Sequence, residues 1–543
     1  MWRQGLVALN ATLLVACASP SGMAGSQRTR LSASALAVTA DVLTYHNDNA
    51  RSGHNLAEVV LTPANVNAAK FRLLRMLEVD GLVDAQPLVV SKLTIRGKSR
   101  NVLIIATEHD SIYSFDADDG ALLVNTTVLG RAEFSSDDRG CTHVTPEVGI
   151  TSTPVIDRNA GVHGTVFLVA KSKDSAGHYF QRLHALDLVT LAEQPYSPVV
   201  IQAAYPGIGA NSRNGMLTFD PPRYTERAGL LLLDGTVYTA WASICDVEPY
   251  TGWIVGYDEQ TLAQTRVLNV VPNGGDGSIW QSGGGMAADS QGNIYALVAN
   301  GTFDTTLDAR GLPFRRDYGN AFVKISTTGA IQVVDYFAMS NTVSESMGDV
   351  DLGSGAPLLV PDLKDSQGTI RHLAVGAGKD GHLYVVNRDS MGKFNASGNQ
   401  IWQDLTRPLP GGIWSAPAYF NGTVYYADVN GTLKAFVFKG AKLAATPESQ
   451  SISTFPYPGA SPAVSANGAS SGIIWAVESA QNRGAVLHAF DATNLGKELY
   501  NSDQAAAGRD HFGTGNKFIT PTIAGGKVYV GTPSGVAVFG LYP

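Results

Sequence analysis

An all-β fold is what the sequence predicts: a single eight-bladed β-propeller of four-stranded blades. Three observations point there. The chain has 543 residues, of which only 16% are charged, and 58 are glycine. Low charge with abundant glycine suits short strands joined by tight turns and not helices, which favour Glu, Lys and Arg. A strand pattern recurs about eight times along the chain. The chain then ends on the strand "GVAVFGLYP" with nothing after it to complete a fourth strand, while the early segment "FRLLRMLEV" (71–79) offers that strand.

The units can be followed in order. Each opens on an apolar strand that often carries Pro, as in "AQPLVV", "TSTPVID", "GAPLLVP", "SAPAYF", "ASPAVS" and "ITPTIA". A second strand follows, such as "NVLIIATE", "GTVYTAWAS", "GNIYALVAN" or "GKVYVGTP", and a turn leads to a third, such as "SIYSFDAD", "WIVGYDEQ" or "VLHAFDAT". Alternating apolar residues and Asn-Gly pairs (Asn421-Gly422, Asn430-Gly431) mark hairpins. Pro417 and Pro462 lie 45 residues apart and Pro87 and Pro154 67 apart, a spread that loop insertions produce. Four-stranded units repeated about an axis make a propeller, and the count is eight, with seven as the alternative. Segment 71–79 would close the ring by joining the C-terminal blade.

Before the repeats, "MWRQGLVALNATLLVACASP" has one Arg, a short apolar run and small residues, as a secretory signal does. Leu14-Val15-Ala16-Cys17 resembles a bacterial lipobox, which would make residues 1–17 a lipoprotein signal and Cys17 the acylated residue; an ordinary cleaved signal is the alternative. The run is far below the ~20 residues of a spanning helix, so membrane contact is expected only through such an anchor. Ala18 carries no retention signal, which points to the periplasmic face of the outer membrane or the cell surface; without lipidation the chain would be secreted or periplasmic. Residues 18–44 read as a flexible tether and 45–543 as the propeller.

The balance of 39 basic and 47 acidic residues, net −8, disfavours nucleic acid as a partner. Arg310, Arg315 and Arg316 fall in one loop and read as solvated. Beyond Cys17 only Cys141 and Cys245 remain, either two buried thiols or a bridge. In a propeller the second-to-third strand turns share one face with the inter-blade connections. That face collects Cys141, Cys245, Glu248, Trp280, Asn300, Asp349 and Lys379, together with Glu108, His109, Asp351 and Glu478. Of other motifs, "GASSG" (468–472) lacks the strand-to-helix setting of a nucleophile elbow, and no phosphate-binding Gly loop appears.

The opening "YHNDNARSGHNLAEVVLTPANVNAAKFRLL" and the third-strand pattern in "YSFDADDG" and "LHAFDATN" resemble the quinoprotein alcohol dehydrogenase-like propellers of the pyrroloquinoline quinone (PQQ) type, over nearly the whole mature length. The resemblance implies Ca2+ holding PQQ on the propeller axis. "CDVEPYTGWIVGYD" is similar to the segment with a ligand Glu and implies Glu248. "SIWQSGGGMAADSQGNIYALVANGTFD" implies Trp280 as the floor under the quinone and Asn300 as a ligand. "GDVDLGSG" implies Asp349 as ligand and base, and "GAGKDGHLYVVNRDSMGKF" implies Lys379 on the quinone oxygens. The chemistry is coherent: carboxylate and amide oxygens suit calcium, a carboxylate can take a hydroxyl proton, and an indole face stacks on a planar ring.

Each residue also has a plainer reading. Trp280 and Trp414 can be packed aromatics, Asn300-Gly301 a turn, Glu248 and Asp349 exposed acids, and Lys379 a surface residue. His109 reads as structural or solvated, and Asp351, Glu108 and Glu478 carry no assigned role. The sequence also departs from the pattern. Cys141 stands alone where such enzymes often pair adjacent cysteines, no CxxCH is present, and Val124 sits where a blade-closing Trp is expected. Two functions therefore stand: a PQQ- and calcium-dependent oxidoreductase of alcohol or sugar hydroxyls, or a non-catalytic lipoprotein binding protein or glycan, similar in architecture to the outer-membrane protein-assembly scaffold.

Overall fold

The computed structural model describes residues 41–542; the expected signal, Cys17 and most of the tether lie outside them. Eight antiparallel sheets follow one another along the chain. Blade 1 is Leu88–Ile95, Lys98–Ala106, Ser111–Asp116 and Leu122–Thr127. Blade 2 runs from Val155–Asp157 to Val199–Val200, blade 3 from Leu231–Leu233 to Gln264–Asn269, and blade 4 from Ala287–Ala288 to Gln332–Ala338. Blade 5 runs from Leu358–Leu359 to Gln403–Leu405, blade 6 from Ala418–Phe420 to Ser449–Phe455, and blade 7 from Ala463–Asn467 to Asn494–Asn501. Blade 8 has three strands at the C-terminus, ending at Gly535–Leu541, and its fourth is Phe71–Glu78, paired antiparallel from Phe71↔Leu541 to Glu78↔Gly535. The ring closes as the sequence predicts.

Second strands such as "VLIIA" (102–106) are apolar at every position because both sheet faces are covered by neighbouring blades. Leu103 and Ile105 of blade 1 share one cluster with Val166 and Leu168 of blade 2 and Val536 and Val538 of blade 8. Ile105 is 0% exposed, so Ile105→Ala would cost about 2–5 kcal/mol. Local hydrogen bonding fastens the turns after several third strands. An Asp ends the third strand of several blades, and its Oδ1 accepts backbone N–H groups of the following turn: Asp116 from Asp118 and Asp119, Asp187 from Val189 and Thr190, Asp258 from Gln260 and Thr261, Asp491 from Thr493. Asp favours such turns because its short carboxylate mimics a backbone acceptor.

The opening segment reaches all eight blades. Val42 bridges Val89 of blade 1, so Asp41–Thr44, expected to end the tether, already belong to the packed fold. Leu43 O accepts Ile156 N of blade 2, and the carbonyls of Asn49, Ala50, Ser52 and Gly53 accept Ala288, Leu359, Tyr419 and Val464 N of blades 4, 5, 6 and 7. Arg51 donates to Leu230 O beside blade 3, and Asn55 Nδ2 to Ile523 O of blade 8. Tyr45, His46 and Arg51 are buried. The segment thus closes the central channel across the first strands, opposite the face where second strands turn into thirds.

Candidate functional site

On that face, at the axis, lies a cavity of about 370 Å³, within the range of roughly 300–1,000 Å³ common for small-molecule sites. His143, Cys245, Asp246, Trp280, Asn300, Asp349, Asp351, Lys379, Trp414 and Tyr457 line it. They come from connections of six blades, which the ring alone brings together.

The acid–amide cluster is built from three pieces of chain. Asn300 follows the strand Asn293–Leu297, Asp349 follows the short helix Thr342–Met347, and Asp351 precedes the 3-10 turn Leu352–Ser354. Asn300 Nδ2 donates to Asp349 Oδ1 at 2.6 Å. Lys379 Nζ donates to the same oxygen and lies 2.8 Å from Asp351 Oδ1. Asn300 Oδ1 is buried and accepts no hydrogen bond. Gly301 holds Asn300 in place: a Cβ there would meet Gly277 N at 2.4 Å, so this glycine serves close backbone approach and not a turn. Gly277 N and Ser346 Oγ clamp the pair, donating to Asn300 O and Gly301 O.

Charge in the cluster is balanced internally. Burial opposes the Lys379 charge, but Asp351 and Asp349 outweigh it and raise its pKa, so the ammonium persists well above neutrality. Burial raises Asp351, against the pull of Lys379, with Asp349 and Asp246 pushing the same way as burial. Burial, then Lys517 and Arg227, lower His143, which is neutral at pH 7.

Cys141 and Cys245 form a disulfide, 104 residues apart in sequence. Cys245 and Asp246 adopt φ of 47° and 50°, and Asp349 55°. Left-handed backbone costs about 1–2 kcal/mol per non-glycine residue, and such residues concentrate at functional sites. This conformation directs Asp246 into the cavity, with Tyr250 Oη donating to its carboxylate at 3.0 Å. Glu248 goes elsewhere. It is exposed and lines a separate surface pocket with Arg139, Asp220 and Arg223. The expected ligand Glu therefore lies away from the central cavity, which Asp246, two residues earlier, lines.

Trp280 lines the cavity, with the Phe518 ring edge-on at 5.1 Å and His143 at 6.0 Å. Trp414, read from sequence as packing, is a second cavity wall, with Lys379 Nζ 5.9 Å from its ring and Tyr457 edge-on at 5.9 Å. The other candidates are structural. His109 pairs with Glu147, Glu478 with His488, and buried Glu108 accepts Gly149 N and Thr151 Oγ1. Sequence reasoning missed His143, Tyr457 and Phe518, and it gave no role to Asp246, beside Cys245 on the functional face.

The donor types suit a hard cation. Asn300 Oδ1 lacks a partner, and the carboxylates of Asp246, Asp349 and Asp351 line the same cavity, all oxygen groups of the kind Ca2+ takes, with the three carboxylates not all within 4.8 Å of one another. The indoles of Trp280 and Trp414 give the space aromatic walls suited to a flat ring.

No family model matches the chain, and no curated protein does. Among solved structures the chain is similar to quinohemoprotein alcohol dehydrogenase from Comamonas testosteroni, with TM-score 0.60 and 15% identity over 93% of this chain and 81% of that one. It is also similar to quinohemoprotein alcohol dehydrogenase ADHIIG from Pseudomonas putida HK5, with TM-score 0.59 and 15% identity over 92% and 80%. A europium-containing methanol dehydrogenase aligns with TM-score 0.52 and 13% identity over 90% and 89%. At these identities the likeness concerns architecture: the chain is an eight-bladed β-propeller of the quinoprotein alcohol dehydrogenase-like fold.

Proposed function

We propose that the chain is an exported oxidoreductase that binds PQQ and a hard cation in the central cavity and oxidises alcohol or sugar hydroxyls. The observation that carries this is that Asn300, with its unpartnered Oδ1, shares one cavity with Asp246, Asp349, Asp351, Lys379 and Trp280. Asn300, Asp349, Asp351 and Asp246 would hold the cation, calcium or the europium that names one structural neighbour. When bound, PQQ and the cation supply an acceptor for the two electrons that an alcohol loses on becoming a carbonyl compound.

The chain's own groups do the rest. Asp349 Oδ1 is engaged by Asn300 and Lys379, while the side chain is 73% exposed, which leaves Oδ2 free to take the proton of a substrate hydroxyl. Lys379 keeps its charge and offsets negative charge that develops on a neighbouring oxygen. Trp280 and Trp414 orient a planar ring and exclude water from its faces. The disulfide fixes Asp246 and His143 at the cavity wall. We place the protein at the outer membrane through Cys17, or free in the periplasm if the signal is simply cleaved.

The test is alcohol-dependent reduction of a dye by protein loaded with PQQ and calcium. Turnover that vanishes in Asp349→Asn supports the reading. No turnover, with no PQQ binding, overturns it in favour of a binding scaffold for protein or glycan.

A further inference from the structure

Cys141, Cys245 and His143 bring three soft ligand atoms together at one wall of the central cavity. The two sulfurs and a ring nitrogen of His143 all lie within 4.8 Å of one another. Ligands of a tetrahedral Zn2+, with Zn–S about 2.3 Å and Zn–N about 2.0–2.1 Å, stand about 3.5–3.8 Å apart. The group is therefore close to a Cys2His shell, except that its sulfurs are bonded to each other. The bridge can be reached from solvent. Cys245 is exposed and lines the central cavity, while Cys141 is 7% exposed. An incoming thiolate meets Cys245 first.

Opening the bond would not scatter the ligands. Cys141 N donates to Asp138 O, and Thr145 Oγ1 to the Asp138 carboxylate, so that turn holds its own shape. On either side of Cys245, Ile244 N donates to Arg223 O and Tyr250 Oη to the Asp246 carboxylate. His143 packs against Trp280 and Phe518, with ring centroids 6.0 and 6.5 Å away. Ser243 marks the same place. It is 6% exposed, its Oγ has no hydrogen-bond partner, and with the two cysteines and His143 it lines one small chamber beside the cavity. A buried hydroxyl without a partner is costly, and a water held by a metal here would satisfy it. Arg227 borders the chamber too. Its charge favours thiolates over thiols, and two thiolates cancel the charge of one Zn2+.

We propose that this group is a redox-gated site for a thiophilic divalent cation, Zn2+, held by Cys141, Cys245 and His143, with a water at its fourth position facing the central cavity. A dithiol opens the bridge: its two electrons and two protons pass to the sulfurs, and it leaves as a cyclic disulfide. Zn2+ then displaces both thiol protons. The site stands whatever fills the central cavity. The test uses the full chain with Cys17→Ser, so that only these two thiols report. The protein is reduced by a phosphine, which ends as its oxide, and desalted without oxygen. Co2+ is the probe. The expected result is one Co2+ per chain with a thiolate charge-transfer band and tetrahedral visible bands. One equivalent of Zn2+ removes both, and the oxidised protein shows neither. His143→Gln should keep the charge-transfer band and bind Zn2+ at least about tenfold more weakly. Zn2+ should also raise the Tm of the reduced protein more than that of the oxidised one, a readout that needs no ligand variant. No charge-transfer band in the reduced protein overturns the proposal, as does a band kept in Cys141→Ser/Cys245→Ser or an equal Zn2+ affinity in His143→Gln. Terbium luminescence on the same protein reads the acid–amide cluster, whose ligands are oxygens, so loss of one site does not stand for loss of the other.

Discussion

Removing the Cys141–Cys245 bridge should show how much this fold depends on its single described cross-link. The bond spans 104 residues. Closing a loop of about 100 residues is worth about 4.7 kcal/mol in chain entropy. Part of that is returned, because Cys245 and Asp246, at φ 47° and 50°, could relax once the bond is gone, at about 1–2 kcal/mol each. The net expectation is therefore about 1–3 kcal/mol. For a chain of this length the unfolding entropy is about 1 kcal/mol per degree, so Cys141→Ser/Cys245→Ser should lower Tm by about 1–3 °C. Scanning calorimetry at one pH and scan rate reads it, and wild type in excess reductant should give the same curve. A Tm indistinguishable from wild type would refute the reasoning and show that the blades alone hold this wall. A drop above 10 °C would show that the bridge holds more structure than its loop.

Three further substitutions separate the parts of the account. Gly301→Ala places a Cβ 2.4 Å from Gly277 N; overpacking of this kind costs about 1–3 kcal/mol, and calorimetry should find the loss together with weaker terbium binding. Lys379→Met leaves Asp351, 5% exposed, without its cation, so stability should fall by about 3–5 kcal/mol, and adding calcium should restore more of it than in wild type; equal calcium response in both proteins would separate Lys379 from the cation site. Glu226 supplies the pH test. Burial raises its pKa from 4.5 to about 8, so the folded state keeps a proton that the unfolded state releases. Its contribution is full below about pH 4.5 and is lost as pH rises through 8, and the Tm advantage of wild type over Glu226→Gln should shrink between pH 5 and 8.

Much of the fold was written locally. "VLIIA" (102–106) is apolar throughout because two blades cover it, and segment 71–79 was recognisable as the missing strand because the C-terminal unit lacked one. The repeated strand-ending Asp was visible in "SFDADDG" and "AFDATN", though its capping role needed coordinates. The course of "TYHNDNARSG" was not legible: its carbonyls satisfy first strands of successive blades, and nothing in its own composition marks that non-local pattern. Trp280, Asn300, Asp349 and Lys379 do meet in one cavity, and Glu248 does not join them. The resemblance pointed to Glu248, but the turn with left-handed backbone at Cys245 and Asp246 presents Asp246 to the cavity, a local conformation the segment's likeness does not record. Trp414 was assigned to packing because an isolated aromatic carries no record of which wall it faces. Whether Cys141 and Cys245 paired stayed open because a separation of 104 residues has no local pattern.

The most direct measurement is PQQ binding followed by quenching of Trp fluorescence, with calcium, with europium and with neither. Saturable, cation-dependent quenching that Trp280→Ala and Asp349→Asn both weaken is the predicted result. No quenching with any cation would contradict the quinone reading and leave the cavity to another ligand.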